Sequence, residues 1–288
     1  MSITMNTLVR AVIVICFNPM ESKVKNLINK VSGEGTVVYI ANNGGMSVEL
    51  IDSLKSEGVE VITFDKNLGL GKAINEIAEI VPQTVRVIFT FDQDSSPPEN
   101  YILRTWDHYV RLAERQEKLG VLTPSFVDAR SGYQYQQKAI ATGEEFTELT
   151  ITLQSGMCIP IDVWRENKFN PELFIEFVDT EWCYRIKSKG YKVLQMNDVV
   201  MHHEVSDQAP KEFLGFKLLK YKPIRRYYFF RNAIFLLKQS YVPLYNKVRL
   251  LTGACNRILA IALLDDFKIA SYKQSLFGIL DGIKLGRK

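Results

Sequence analysis

Apolar runs of strand length alternate with helix-patterned segments from Arg10 to Asp94, and this alternation constrains the fold more than any other feature of the chain. Arg10 to Phe17 is rich in β-branched residues, and Glu21 to Val31 has helical spacing. Thr36 to Ala41 is a second apolar run, closed by Asn42-Asn43-Gly44-Gly45. Val48 to Ser56 reads as helix, Val59 to Phe64 as a third strand, and Gly71 to Ile80 as a helix ended by Pro82. Val85 to Phe91 is a fourth strand that runs straight into Asp92-Gln93-Asp94. Such βαβ alternation predicts an α/β fold with a mostly parallel sheet, a Rossmann-like nucleotide-binding half, and helices on both faces. The runs are almost continuously apolar, as strands buried on both faces are. Ligands of such sheets bind beyond the carboxyl ends of the strands. Asn42-Asn43, Asp65-Lys66-Asn67 and Asp92-Gln93-Asp94 follow the second, third and fourth strands, so three polar tips share one sheet edge.

Further along, Pro98 to Leu119 is predicted as a long helix and Gly120 to Thr123 as a strand. Tyr133 to Ile140 and Phe146 to Leu153 alternate around Gly143 and suggest an antiparallel pair. Val178 to Lys189 reads as a helix ended by Gly190, followed by short strands at Tyr191 to Gln195 and Val199 to His203. Helices are expected over Ile224 to Gln239, Pro243 to Leu264 and Lys268 to Ile283. The expected division is a sheet domain over residues 1–215 and a C-terminal helical appendage over 216–288.

With 288 residues, 47% of them hydrophobic, the chain can bury a sizeable core. Its net charge is only +4, which does not describe a nucleic-acid binder with a dominant positive field. The bases crowd after Lys211, interleaved with Phe, Tyr and Leu, and close the chain at Lys284, Arg287 and Lys288. Such a region can sit on an anionic membrane surface or form a dimer contact. Cys16, Cys158, Cys183 and Cys255 form no CxxC pair, so neither a disulfide framework nor a zinc site is expected, and reduced thiols in a cytosolic protein are the simpler account. No apolar run is long enough for a transmembrane helix.

Paired acids at i and i+2 on a strand end, Asp92 and Asp94, can share a divalent cation and also meet a ribose. A solvated turn is the plain alternative, weakened here by the apolar strand that delivers them. Asn67 to Asn75 carries a Gly-containing turn into a helix start that can receive phosphate, or is simply a permissive helix start; it is neither GxGxxG nor a P-loop. Ser155-Gly156 permits close approach of backbone to a ligand, or a strand-terminal turn. In Phe174 to Arg185, acids crowd an aromatic stretch. Asp179 either caps the following helix or, held in apolar surroundings, has a raised pKa and removes a proton from a hydroxyl, with Glu181 in support. Of the neighbours His202 and His203, which point to opposite faces of a strand, at most one meets a metal at Asp94.

Taken in order, these segments resemble the inverting family 2 glycosyltransferases of GT-A fold, and within them the bacterial rhamnosyltransferases that build O-antigen-type polysaccharides on a lipid carrier. Cys16-Phe17-Asn18-Pro19, Asn42-Asn43-Gly44, Asn67 to Asn75, Asp92-Gln93-Asp94-Ser95, Ser155-Gly156, Phe174 to Arg185, His202-His203 and Arg226 to Asn232 carry the resemblance. It spans about residues 8 to 240. The resemblance implies that Asp94 and His202 (or His203) hold a divalent cation, manganese or magnesium. It implies that Asp92, with Phe17, Asn18, Pro19, Asn42, Asn67, Lys72 and Gln93, contacts the donor nucleotide. Asp179 would be the general base, with Ser155, Gly156, Glu181 and Trp182 on the acceptor side or supporting it. Asn42 stands where the family usually has Asp, and an amide can still bond a pyrimidine edge. The implied donor is dTDP-L-rhamnose, and the implied acceptor a saccharide on a polyprenyl diphosphate. The implied location is the bacterial cytoplasm, peripheral to the inner face of the plasma membrane.

Three other readings are open to such a chain: a related transferase using a UDP-sugar, a sugar nucleotidyltransferase, and a non-catalytic nucleotide-sugar binding protein. A nucleotidyltransferase usually carries a Gly-rich basic loop after the first strand, where this chain has Cys16-Phe17-Asn18-Pro19.

Overall fold

The computed structural model describes residues 9–128, 139–203, 211–213 and 216–286. In the first third, β1 (Arg10–Cys16), α1 (Glu21–Val31), β2 (Thr36–Asn42), α2 (Val48–Ser56), β3 (Glu60–Thr63), α3 (Leu70–Ile80) and β4 (Val87–Asp92) follow one another as the alternation predicts. β1 pairs in parallel with β2 on one side and β4 on the other, and β2 pairs in parallel with β3.

Side-chain parity in β1 shows how the sheet holds two cores. Ala11, Ile13 and Ile15 join one buried cluster with Ala73, Ile74 and Ile77 of α3. Val12, Val14 and Cys16 join the other, with Val24, Leu27 and Ile28 of α1. Alternate residues of a strand face opposite ways, so a continuously apolar strand feeds both layers. Each fully buried Val, Leu or Ile contributes about 1.5–3 kcal/mol of transfer free energy, which fixes the parity of β1.

Beyond β4 come α4 (Tyr101–Glu114), β5 (Leu119–Asp128), β6 (Ala139–Thr142), β7 (Phe146–Leu149), β8 (Met157–Pro160), α5 (Ile161–Glu166), α6 (Val178–Ser188) and β9 (Lys192–His203). The sheet order is β3-β2-β1-β4-β8-β5-β9-β7-β6. β8 runs antiparallel to both β4 and β5, so the parallel half gives way to a mixed half at that strand. The sequence pattern misses β8 and α5, because four to six residues carry too little periodicity.

Other boundaries shift for local reasons. The predicted helix from Pro98 to Leu119 is shorter at both ends, since Asn100 (φ 58°) and Gln116 (φ 54°) adopt left-handed conformations. β5 is longer than predicted. It tolerates Pro124 because the pairing with β9 shifts register between Thr123 and Ser125, and a bulge needs no ladder N–H there. The two predicted strands after Gly190 are one strand, β9. Its excursion at Asn197 is held by the Thr147 hydroxyl (2.8 Å) and the carbonyl oxygens of Gly143 and Glu144. The predicted antiparallel pair around Gly143 is β6 and β7; its first residues, Tyr133 to 138, lie outside the described residues.

A short hairpin, β10 (Lys211–Phe213) and β11 (Phe216–Leu218), leads to α7 (Pro223–Lys238), α8 (Leu244–Leu264) and α9 (Lys268–Lys284). α9 lies against α7 through Ser271, Ser275, Gly278 and Gly282, all buried. A methyl at Gly278 would collide with the Tyr227 carbonyl, and one at Gly282 with that of Arg231. Lys238 donates to the carbonyl oxygens of Gly282 (2.8 Å) and Ile283 (3.2 Å), neutralising the end of α9. The fully buried Arg226 of α7 forms a two-bond ion pair with Asp265 (3.0 and 2.6 Å), and Ser271 donates to the same carboxylate. Among the described residues no helix is long and apolar enough to cross a membrane.

Candidate active site

β1, β2 and β4 are parallel, so Phe17, Asn43 and Asp92-Gln93-Asp94 emerge at one edge. There they line a cleft of about 740 Å³ together with Asn67, Gln154, Asp179 and the Phe174 to Phe177 segment. A cavity of about 460 Å³ beside Arg10 and Lys30 lies at the opposite ends of the strands.

The floor of the cleft is built by amides. Gln93 accepts from the Phe17 N–H (2.7 Å) and donates to its carbonyl (3.2 Å), clamping the end of β1 to the end of β4. Asn42 is buried; it accepts from the Gly44 N–H (3.0 Å) and donates to the Thr63 hydroxyl (3.2 Å), so its amide serves the turn. Its neighbour Asn43, part of the same polar tip but not among the expected nucleotide contacts, lines the cleft. It accepts from the Leu68 N–H (3.1 Å) and donates to the Gly69 carbonyl (3.3 Å). Asn67 accepts from the Gly69 N–H (2.9 Å). Gly69 has φ 78°, and any Cβ there would collide with the Phe174 carbonyl, to which the Leu70 N–H donates (2.8 Å).

Two carboxylates dominate the interior. Oriented to satisfy its neighbours, the Gln154 amide donates to Asp92 Oδ1 (2.9 Å) and accepts from the Phe91 N–H (3.3 Å). Asp92 is pushed up to about 7 by burial and by the nearby Asp94 and Asp179 carboxylates, with Arg225 opposing. Asp179 is the second residue of α6 and accepts from the Gln154 N–H (3.1 Å) and the Thr180 N–H (2.6 Å). Burial raises its pKa against these hydrogen bonds, with Glu176 adding to the rise. It does not cap α6: Phe177 occupies that position with φ 63°, directly after Glu176, also at φ 63°. Two adjacent left-handed residues without glycine store strain. α7 holds them in place: Asn232 donates to the Ile175 and Glu176 carbonyls (2.7 and 2.8 Å), and Arg225 pairs with Glu176. Gln154 and Arg225 carry no sequence signal for these tasks; for the clamp the signal is the family pattern around Asn232.

The remaining predicted residues lie outside the cleft lining. Asn18 (φ 47°) donates its N–H to the Gly44 carbonyl (2.9 Å), with Pro19 after it. Lys72 is in the first turn of α3. Ser155 bonds Ser95, and Gly156 stitches to the Thr90 carbonyl (2.7 Å). Glu181 is buried between Arg185 (2.8 Å) and the Tyr241 hydroxyl (2.7 Å). Trp182 is buried and stacks on Phe169 (5.2 Å). His202 is exposed, its backbone bridging that of Ser96, two residues past Asp94; the side chain of His203 lies outside the described residues.

The family model described as Glycosyl transferase family 2 matches residues 11–145, from β1 through the acid pair to the residue before β7. Residues 11–145 thus form a family 2 glycosyl transferase domain. It is 28% identical over 294 residues to the dTDP-rhamnosyl transferase RfbF of Shigella flexneri, covering 97% of each chain. Its fold is similar to that of S. aureus TarS, with a TM-score of 0.59 and 15% identity over 97% of this chain; this chain spans about half of that protein (49%). It is also similar to GalNAc-T7, solved with UDP, GalNAc and Mn2+, with a TM-score of 0.57 and 12% identity over 93% of this chain and 58% of the other. These likenesses establish the GT-A fold.

In this glycosyltransferase the matched segment contains β1 to β4 and the acid pair but ends before Gln154 and Asp179. The cleft is completed by the segment beyond it. Among the described residues no three His, Cys, Asp or Glu side chains converge tightly enough to hold a metal unaided. A hard cation bound by one or two protein ligands takes the rest from substrate phosphates, and positive charge opposes the burial and the carboxylate repulsion that together raise Asp92. The donor set therefore fits a cation completed by a diphosphate.

Proposed function

We propose that this glycosyltransferase moves L-rhamnose from dTDP-L-rhamnose, with inversion, onto a hydroxyl of a saccharide carried on a polyprenyl diphosphate. The observation that carries the reading is the meeting of Asp92, Asp94 and Asp179 in one cleft, in a chain similar end to end to a dTDP-rhamnosyl transferase. Asp179 takes the proton of the acceptor hydroxyl. The hydroxyl oxygen forms its bond to the anomeric carbon while the bond from that carbon to the diphosphate oxygen breaks, and the electron pair leaves on the diphosphate. Inversion follows from a single displacement, and no nucleophile on the enzyme is needed. A divalent cation, manganese or magnesium, held by Asp94 and His202, would supply charge neutralisation for the leaving diphosphate. Asp92 faces the donor's nucleoside and sugar, and Phe17 and Asn67 line the same cleft.

Calorimetry and transfer assays across dTDP-, UDP- and GDP-sugars test the reading. Preference for dTDP-L-rhamnose is expected. Preference for a UDP-sugar overturns the donor assignment, and binding without transfer overturns the enzyme assignment.

The segment from residue 216 onward fits a membrane-facing appendage to the sheet domain, and the lipid-linked acceptor gives that face a purpose. α8 exposes Val248, Leu251 and Ile258, and α9 exposes Leu276, Leu280 and Ile283. Lys247, Arg249, Lys268 and Lys273 lie on the same helices, whereas every acid of α8, α9 and their joint is engaged. Asp265 pairs with Arg226, Asp266 with Lys220, and Asp281 with the Tyr227 hydroxyl. An apolar face with unbalanced cations complements an anionic bilayer, while a second copy would bring like charges together. Sedimentation with phosphatidylglycerol vesicles should capture the protein and neutral vesicles should not. A dimer that ignores both kinds of vesicle refutes the membrane placement.

A further inference from the structure

Three arginines surround the buried ring of Tyr221. The guanidinium carbon of Arg257 lies 4.3 Å from the ring centroid, that of Arg225 4.6 Å and that of Arg226 5.3 Å. Two of them have carboxylate partners: Arg225 pairs with Glu176 (2.6 Å) and Arg226 with Asp265 (2.6 Å). Arg257 has none. It packs on the rings of Tyr221 and Phe229 (4.4 Å) and, among the described residues, makes no hydrogen bond or ion pair. Aromatic faces orient a guanidinium without using its N–H donors. Arg257 also lines the cleft that holds Asp92, Asp94 and Asp179, although it comes from α8, far beyond the matched family segment. An oriented, partly buried cation with a full set of donors, facing a substrate cleft, is short of one anion. The planar fork of Arg suits phosphate oxygens.

We infer that Arg257 is a phosphate-binding residue of the cleft, reaching in from the C-terminal helices to take one phosphate of a diphosphate ester. Both substrates of the proposed reaction carry that group, the donor as a nucleoside diphosphate and the acceptor as a polyprenyl diphosphate, so the assignment of a source rests on that reading. The contact itself is a matter of phosphate and guanidinium.

R257Q and R257K, checked for folding by thermal melting, separate the possibilities. If the donor supplies the phosphate, R257Q binds dTDP about tenfold to a hundredfold more weakly and binds thymidine as the wild type does. If the acceptor supplies it, R257Q raises KM for the diphosphate-linked saccharide, with KM unchanged for the same saccharide on a neutral alkyl chain. R257K keeps the charge but not the fork, and should fall between Gln and wild type. Unchanged dTDP affinity and unchanged acceptor KM in a folded R257Q overturn the inference.

A measurement on the wild-type protein is independent of both the variants and the transfer reading. Inorganic pyrophosphate should shield Arg257 from phenylglyoxal, read by peptide mass spectrometry, while Arg165, paired with Asp162 at the surface, is modified at its usual rate. Equal modification of Arg257 with and without pyrophosphate overturns the inference even where sugar transfer is confirmed.

Discussion

The backbone N–H of Gln154 donates to Asp179 Oδ2 at 3.1 Å. The side-chain amide of the same residue holds Asp92 Oδ1 at 2.9 Å. One residue thus positions the carboxylate proposed to face the donor and the carboxylate proposed to take the proton, through different atoms.

Gln154→Ala separates these two tasks, because it removes the amide and keeps the backbone N–H. The expected outcome is a donor KM raised about tenfold, the worth of one hydrogen bond to a charged group. The pH dependence assigned to Asp179 should stay in place. Steady-state kinetics against pH decides it; an unmoved donor KM with a displaced pH profile would reverse the assignment.

Asp179→Asn keeps the shape and removes the carboxylate proposed as the base. Transfer should fall by about 10²–10⁴-fold, the usual contribution of general base catalysis, with dTDP affinity unchanged by calorimetry. Loss of dTDP affinity would place Asp179 on the donor instead.

The pH profile follows from the same residue. Burial raises the Asp179 pKa above the ordinary carboxylate value, with Glu176 adding to the shift and the Gln154 and Thr180 hydrogen bonds opposing it. The ionised form is the one proposed to take the proton, so kcat/KM should fall on acidification with a midpoint above the ordinary carboxylate value of about 4. Stability has the opposite sign. A carboxyl whose folded pKa is raised stabilises the fold below its unfolded pKa, and that contribution is lost as pH rises through the folded value. Asp179→Asn should therefore flatten the decline in melting temperature across that window; a decline as steep as in the wild type would contradict it.

Chelation should abolish transfer and lower dTDP affinity, and manganese or magnesium should restore both. Asp94→Ala should make dTDP binding indifferent to the cation in calorimetry. His202→Ala should weaken the cation dependence without erasing it, because phosphate oxygens complete the shell. A cation response unchanged in Asp94→Ala would exclude it as a ligand.

Asp265→Ala leaves the fully buried Arg226 without its counter-charge. Breaking such a pair from one side costs about 3–5 kcal/mol, measurable by denaturant unfolding. The double variant Arg226→Met, Asp265→Leu should recover most of that loss; a single variant as stable as wild type would show that the pair does not hold α7 to the start of α9.

Much of the donor half was legible because periodicity is strong where strands are buried on both faces. Arg10 to Asp92 alternates cleanly, and the acids at its end emerge where parallel topology puts ligands. Asp179 was legible by its chemistry, as an acid among aromatics, although its place in α6 was not, since two left-handed residues start that helix. Gln154 carried no signal: it contributes a backbone N–H and an amide whose partners lie 25 and 62 positions away in the chain. Asn42 drew attention over Asn43 because neighbours on a strand look equivalent in sequence, yet the fold places only Asn43 at the cleft surface. Glu181 and Trp182 were selected by proximity to Asp179, and the helix turns both into the interior.

The small-residue seam between α7 and α9 bears on how such enzymes can be recombined. Ser271, Ser275, Gly278 and Gly282 match the backbone relief of Tyr227 and Arg231, and α7 in turn clamps the segment before Asp179 through Asn232. A chimaera that grafts a relative's last helix alone would mismatch its partner and disturb the cleft. Exchanging residues 223–284 as one cassette keeps the seam but transfers the clamp with it, so acceptor preference and helical appendage should be inherited together.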